Sequence, residues 1–481
     1  MMEPGFLPAT KLAALVRRGK IGCVELLDHF IARVERLDSR LNAVVVRDFE
    51  RARKAARAMD RQRKKAATGP LHGVPMTVKE SFNIAGLPTT CGYPERSGDR
   101  IEADALPIQR LRDAGAVIFG KTNVPVGLAD WQSFNPVYGT TNNPWNLAHT
   151  PGGSSGGGAA AVAAGISGLE LGSDIGGSIR VPAHYCGLFG HKPTWGLCPP
   201  RGHYTVAAAL TDISVIGPLA RSADDLALVL DLIDQPDPAE TALSVKLPAP
   251  RGRAVKGLRV AVWASQPGQP TDAETVAKIE DLARFLRRAG AKVSLTARPE
   301  FDPVEAYQLY LRTLATALSA RHSETVLARM RHGAARRPAD DMSADAIMLR
   351  TVDMPHRDWL RLNERRTQVR RAWGAFFQDW DVLLCPVIAT PALPHMQQGE
   401  TWERRMTIDG QDIAYNDMLF WPGLTCGFHL PASVAPIGMA KSGLPIGVQI
   451  VGPLYGDRTT IEVAKLLENS WLGFSPPEGW A

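Results

Sequence analysis

Two serines set among glycines are the residues of this 481-residue chain whose surroundings point most directly to chemistry. One of them, Ser178, directly follows Gly176 and Gly177 in the run Gly172–Arg180. Adjacent glycines let successive backbone N–H groups converge on one point, which is how an oxyanion hole is built. Ser178 would then be the nucleophile of an acyl transfer, although the run taken alone also fits an ordinary Gly-Ser turn.

The run Pro151–Gly158 around the other serine, Ser154, matches three known motifs only in part. It lacks the Gly-Lys-Ser/Thr of a phosphate-binding loop. A loose dinucleotide fingerprint and the G-x-S-x-G nucleophile elbow both need a strand directly before them, and residues 142–150 are turn-rich instead. The elbow also needs a histidine, and His429 lies in an apolar stretch that is more typical of a core residue.

A serine nucleophile needs a base, and the sequence offers Lys79 at the end of the apolar run Val74–Val78. A lysine carried into the interior loses the solvation of its charged form, so its pKa falls and the neutral amine can act as a general base. An isolated lysine at a strand end is more often a surface residue. Lys79 therefore points to a site only in combination with the two serines.

The combination of Lys79, Ser154 and Ser178 with the words Gly-Gly-Ser-Ser-Gly-Gly and Asp-x-Gly-Gly-Ser-x-Arg resembles the amidase signature family. The resemblance extends over about residues 8–465. Further matching segments are Gly73–Pro75, Gly120–Asn123, Asn143–Trp145, Gly187–Gly190, Lys192–Thr194 and Gly443–Gln449.

The resemblance implies a Ser–cis-Ser–Lys triad. Ser178 would attack the carbonyl, and Ser154, on a non-proline cis peptide, would relay the proton to neutral Lys79. The resemblance implies four backbone N–H donors for the oxyanion, from Ile175, Gly176, Gly177 and Ser178. It also implies a bracing role for three residues of the catalytic loops, Asp174, Arg180 and Ser155, and a place in the acyl pocket for Leu128. It implies no metal and no cofactor.

Three departures from the family pattern bear on the substrate. Gly158 and Ser173 stand where many relatives have Ser and Thr, and we expect neither to touch the triad. The apolar run Trp421–Phe428 replaces an Asn-rich segment, so we expect Trp421 and Phe428 to line the substrate pocket. This favours an amidase acting on hydrophobic or aryl amides, with carbamates (urethanes) and esters as further candidates. The alternative is the glutaminase subunit of a tRNA-dependent amidotransferase.

Short apolar runs alternate with helical patterns along the chain, which predicts an α/β fold. With the resemblance, we expect a three-layer α/β/α sandwich around a large mixed, mostly parallel β-sheet. The predicted strands are Val74–Val78, Ala116–Phe119, Leu258–Trp263, Lys292–Thr296 and Ile446–Val451, and the main predicted helices are Pro107–Ala114, Gly156–Leu169, Thr271–Ala289 and Asp358–Trp380.

Changes in pattern divide the chain into four parts. We expect a helical arm over residues 1–67, the catalytic core over 68–235, a variable insertion that shapes the pocket over 236–380, and strands and a helix that complete the same core over 381–481. The Arg- and Met-rich region from His332 to Arg357 gives no clear pattern.

Composition and charge limit the remaining function classes. The formal net charge of +6 is densest in Arg51–Lys65, where alanines recur at helical spacing and no aromatic residues are interleaved to stack on bases. We therefore expect a solvated helix face rather than a nucleic-acid-binding patch. Six scattered cysteines and the absence of a signal peptide or membrane span predict a cytoplasmic enzyme with a small-molecule substrate, as a monomer or homodimer.

Overall fold

The computed structural model describes residues 3–62, 69–204 and 209–480, and the predictions for residues 63–67 lie outside that range. Eleven of the strands form one sheet in the order β1-β3-β2-β6-β8-β7-β14-β15-β11-β9-β10. In chain order, the strands are β1 (Val44–Arg47), β2 (Pro75–Lys79), β3 (Val117–Thr122), β4 (Phe134–Asn135), β5 (Gly139–Thr140), β6 (Glu170–Asp174), β7 (Phe189–Lys192), β8 (Val215–Ala220), β9 (Arg259–Val262), β10 (Lys292–Ser294), β11 (Val382–Pro386), β12 (Arg405–Ile408), β13 (Gln411–Ala414), β14 (Ala432–Met439) and β15 (Pro445–Val451).

Helices cover both faces of the sheet. They are α1 (Ala9–Arg17), α2 (Cys23–Leu37), α3 (Phe49–Gln62), α4 (Leu106–Asp113), α5 (Gly156–Ala163), α6 (Arg180–Cys186), α7 (Ala223–Ile233), α8 (Ala273–Arg288), α9 (Pro303–Ser319), α10 (Glu324–Ala335), α11 (Ala344–Thr351), α12 (His356–Asp379), α13 (Phe420–Cys426) and α14 (Asp457–Ser470).

Two apolar cores lie on opposite faces of the sheet, because successive side chains of a strand point to opposite sides. In β9, Val260 and Val262 belong to the first core and Ala261 to the second; in β11, Leu384 belongs to the first and Leu383 to the second. Helices α2, α7, α8 and α14 bury their apolar faces in the first core, and α9, α12 and α13 bury theirs in the second. The expected α/β class and three layers are confirmed.

The sheet is mixed, as expected, but antiparallel pairs predominate among its described strands. Four of its ten pairings are parallel and six are antiparallel. The expectation of a mostly parallel sheet is therefore wrong. The physical reason is clearest at β14 and β15, which a short turn joins as a hairpin without a crossover helix.

The predicted elements near the serines are present with shifted ends. The apolar run from Gly156 was expected to be helical as far as Leu169, but α5 ends at Ala163. Gly165, with φ of +70°, follows that end, and the chain then enters β6. Of the unpatterned region, residues 332–335 end α10 and 344–351 form α11.

The basic helix α3 carries its arginines in ion pairs. Arg51 contacts Asp48 at 2.6 Å, and Arg53 contacts Asp28 at 2.7 Å and Glu50 at 2.8 Å. None of the helices in the described part of the chain has both the length and the apolar character needed to cross a bilayer.

Candidate active site

Strand topology brings the lysine and the serine loops to one edge of the sheet. β2 and β6 are parallel neighbours, with Thr77 opposite Glu170, so their carboxyl ends lie side by side. Lys79 is the last residue of β2, and the loop with Ser178 connects the end of β6 to α6. Ser154 and Ser155 lie directly before α5, and the Ser155 N–H donates to the Ser178 carbonyl at 3.2 Å. The carboxyl ends of such strands are where α/β proteins commonly place ligand sites.

Lys79 is fully buried and points at Ser154. Its Nζ donates to Ser154 Oγ at 2.6 Å and to Ser173 Oγ at 2.9 Å. Burial lowers the pKa of Lys79 to about 7, against the attraction of Asp174, which acts in the opposite direction. A large fraction of Lys79 is thus neutral at neutral pH and can accept a proton.

The peptide bond between Gly153 and Ser154 is cis, as the family resemblance implies. Gly153 has no room for a side chain, because a Cβ there would lie 2.4 Å from the Asp130 carbonyl oxygen. This close approach fits a glycine directly before Ser154.

The backbone of the Ser178 loop presents free N–H groups. Within residues 3–62, 69–204 and 209–480, the N–H groups of Ile175, Gly176 and Ser178 have no acceptor. The Gly177 N–H differs, since it donates to Asp174 Oδ1 at 2.8 Å. Three of the four expected oxyanion donors are therefore unengaged, and the fourth is already occupied by a carboxylate.

A buried ion pair braces this loop. Asp174 accepts from Arg180 Nε at 3.0 Å and from Arg180 Nη2 at 2.8 Å. Burial alone would raise the pKa of Asp174, but the Arg180 guanidinium holds it well below its usual range. Arg180 also donates to the Pro422 carbonyl at 3.1 Å and to Thr425 Oγ1 at 2.6 Å, both in α13. The pair thus ties the Ser178 loop to α13.

Ser155 and Ser173 join the two serine segments. Ser155 Oγ donates to the Ser173 carbonyl at 3.3 Å and accepts from the Ser173 N–H at 3.3 Å. The Ser173 hydroxyl contacts Lys79 at 2.9 Å, so our expectation that this departure does not touch the triad is wrong. The sequence signal was its position at the end of β6, beside the end of β2.

Glu170 is a buried residue that the sequence reasoning missed. Its carboxyl oxygens lie 2.5 Å from Thr77 Oγ1 and 2.8 Å from Thr122 Oγ1. Burial raises the pKa of Glu170 to about 8. An acidic residue within an otherwise apolar strand was the only available signal.

A cavity of about 1380 Å³ opens on Ser178, Ile175 and Gly176. Leu128 lines it, as expected for the pocket. Trp421 and Phe428 do not: each is 1% exposed and lies in the second core. Trp421 packs against Trp263 and donates from its indole N–H to Thr271 Oγ1 at 2.9 Å, while Phe428 packs against Phe301. The expectation that these two line the pocket is wrong, because an apolar run shows burial but not which neighbour covers it.

The far wall of the cavity comes from α9, α10 and α11 together with residues 397–404. Its apolar members include Leu314, Leu318 and Met348. The unpatterned region of the sequence thus contributes directly to the cavity. No group of three or more His, Cys, Asp or Glu suited to a metal ion occurs among the residues that the structure describes.

Comparisons with known proteins agree with this geometry. A family model described as Amidase matches residues 25–461. The chain is 33% identical to an indoleacetamide hydrolase of Bradyrhizobium diazoefficiens, covering 96% of this chain and 86% of that protein. It is also 33% identical to a glutamyl-tRNA(Gln) amidotransferase subunit of Moorella thermoacetica, covering 98% and 97%. The crystal structure of a bacterial aryl acylamidase superposes with a TM-score of 0.81 at 26% identity, covering 97% and 96%. The chain belongs to the amidase signature family.

Proposed function

We propose that this chain is an amidase that hydrolyses hydrophobic or aryl carboxylic amides through an acyl-enzyme on Ser178. The observation that carries the proposal is the cavity that opens on Ser178 and on the free N–H groups of Ile175 and Gly176. Lys79, with its pKa lowered to about 7, lies behind Ser154 at 2.6 Å and supplies the base.

In the proposed reaction, Ser178 Oγ attacks the amide carbonyl while its proton passes to Ser154, whose own proton passes to neutral Lys79. The unengaged N–H groups stabilise the oxyanion. The C–N bond then breaks, and the leaving amine takes a proton that returns from Lys79 through Ser154. Water attacks the resulting ester by the same route, which releases the acid and restores Ser178.

The chemistry of the cavity supports the substrate class. Leu128, Trp131, Leu314 and Leu419 line it with apolar surface. Such a wall binds aromatic or aliphatic groups rather than small polar amides. An indoleacetamide hydrolase and an aryl acylamidase among the similar proteins agree with this class. Carbamates and esters present the same carbonyl to Ser178, so we include them as slower or alternative substrates.

The nucleophile is tested by labelling. An aryl phosphonate that reacts with active-site serines should add one equivalent to the purified chain, and peptide mapping should find it on Ser178. Ser178→Ala should abolish both the label and the hydrolysis of an anilide. Full activity in Ser178→Ala would exclude the proposal.

The second candidate is the glutaminase component of an amidotransferase. The equal identity to the Moorella thermoacetica amidotransferase subunit favours keeping this candidate. The purified chain should be assayed alone on anilides, aliphatic amides, carbamates, esters and glutamine. Activity on anilides supports the amidase; glutamine hydrolysis that appears only with added partner subunits supports the alternative.

A further inference from the structure

Glu170 lies beneath the catalytic lysine at the junction of three strands. It is in β6, directly opposite Thr77 of β2, and Thr122 at the end of β3 contacts it as well. A Cβ on Gly158 would lie 2.4 Å from Glu170 Cγ, so this glycine leaves the space that the carboxyl side chain fills. The residue is fully buried.

The hydrogen bonds around Glu170 suit a carboxylic acid that keeps its proton. The Glu170 O–H can donate to Thr77 Oγ1, which lies 2.8 Å from Ser167 Oγ and can donate onward to it. Ser167 Oγ donates to the Leu169 carbonyl at 2.8 Å, which ends the chain on a backbone acceptor. The Thr122 hydroxyl supplies a donor to the second carboxyl oxygen. Every polar group is satisfied without a buried charge.

Glu170 shares a face of the sheet with Lys79. Thr77 and Lys79 are two residues apart in β2, so their side chains point the same way, and Glu170 is the cross-strand partner of Thr77. The two ionisable groups act on each other electrostatically, and each is fully buried. Their proton equilibria are therefore coupled.

Other groups also face Lys79 from the elements around it: Asp174 after β6, Cys91 and the neighbouring Glu80, Arg321 after α9, and His203. Asp174 stays ionised beside Arg180, and burial raises the pKa of the Cys91 thiol to about 12. Burial and the Lys79 charge hold the pKa of His203 well below its usual value, so it stays neutral. Among the described groups that shift Lys79, Glu170 is the one whose charge changes near neutral pH.

We propose that Glu170 is a positioning residue that holds the end of β2 as a neutral acid and sets the pH at which Lys79 becomes available as a base. When Glu170 loses its proton first, the carboxylate pairs with protonated Lys79, and the enzyme is in an inactive proton arrangement. When Lys79 loses its proton first, the enzyme is active. This inference rests on the proposed role of Lys79 in the proposed function.

The test is the pH profile of Glu170→Gln on an anilide. The amide keeps the shape and the hydrogen bonds but cannot ionise, so the inactive ion pair disappears. The midpoint of kcat/KM against pH should move to lower pH by about 0.5 pH unit or more, with the plateau within about threefold of the parent. Asp225→Asn is the matched control, since Asp225 is also fully buried but does not act on Lys79. Its midpoint should not move.

A second measurement does not need activity. An acid whose pKa is raised by folding contributes stability that is fully present below its unfolded pKa of about 4.3 and is lost as pH rises through about 8. The Tm of Glu170→Gln should therefore rise relative to the parent as pH increases over this range. Thr122→Val, which removes one donor to the carboxylate, should move the activity midpoint in the same direction by less.

The outcomes separate this inference from the proposed function. An unmoved midpoint in both variants, or a flat Tm difference between about pH 5 and pH 9, overturns the role of Glu170 while labelling of Ser178 still supports the amidase. Loss of all activity in a folded Glu170→Gln also overturns it, because a positioning residue should leave the plateau. Full activity in Ser178→Ala instead removes the proposed function itself.

Discussion

A lysine can take a proton from a serine only in its neutral form, so the burial of Lys79 determines when the site works. Burial lowers its pKa to about 7, with Asp174 opposing the change. Activity should rise with pH through about 7 to a plateau, because the deprotonated amine is the base. Lys79→Ala should remove this rise and lower kcat by about 10²- to 10⁴-fold, the usual contribution of a general base.

The control for that variant is a second buried lysine. Lys121 is also fully buried, its pKa is lowered to about 8 by burial, and it donates to Thr89 Oγ1 at 3.0 Å rather than to a serine of the site. Lys121→Met should keep the rise of kcat/KM with pH. A profile that is unchanged in Lys79→Ala would contradict the role of Lys79.

Ser173 gives a prediction of the same scale. Its hydroxyl accepts from Lys79 Nζ at 2.9 Å and so fixes the direction in which the amine points. Removing a hydrogen bond to a charged group changes the free energy by about 1.5 kcal/mol or more, which is roughly tenfold in rate. Ser173→Ala should lower kcat by about tenfold with little change in KM. Ser173→Thr keeps the hydroxyl and should stay near the parent; equal kcat in all three would contradict this role.

At the scale of elements, the Asp174–Arg180 pair holds the Ser178 loop against α13. Both side chains are fully buried. Arg180→Met leaves the Asp174 carboxylate buried without its partner, and breaking a buried pair in this way costs about 3–5 kcal/mol. The free energy of unfolding, measured by urea denaturation, should fall by that amount.

The matched control is an arginine in an exposed pair. Arg284 contacts Asp281 on the surface of α8, and its side chain is 56% exposed. Arg284→Met should change the free energy of unfolding by less than about 1 kcal/mol. Equal losses in the two variants would show that Arg180 has no special role.

The sequence predicts elements and local motifs better than contacts between them. Lys79, Ser154 and Ser178 stand in words that carry their own chemistry, and the structure places Lys79 against Ser154 and Ser178 at the cavity. The partners of Glu170 could not be inferred, because its contacts depend on the register between β2, β3 and β6. The pocket assignment of Trp421 and Phe428 failed for a similar reason, since hydrophobicity does not indicate which side of α13 meets the cavity.

At the scale of the whole molecule, the cavity is an unfilled region beside the second core. Trp131, Leu314 and Leu419 belong to that core and also line the cavity. Helices α9 to α11 and residues 397–404 close its far side. A volume of about 1380 Å³ exceeds the roughly 300–1,000 Å³ typical of small-ligand sites, so substrates with large groups should be accommodated.

Filling this cavity should therefore discriminate by substrate size. Leu318 of α9 lines the far wall, and Leu318→Trp places a larger ring in the space that a bulky substrate would occupy. We expect kcat/KM for anilides with large acyl or amine groups to fall by about tenfold or more, since overlap with even a few methylenes costs about 1–3 kcal/mol. Acetanilide should change by less than about threefold. Leu360→Trp, on the exposed side of α12 at 52% exposure, changes the same residue type outside the cavity and should leave both substrates unaffected. A uniform loss for large and small anilides in Leu318→Trp would mean that the variant disturbs the second core rather than the substrate space, and the cavity would then not be the determinant of substrate size.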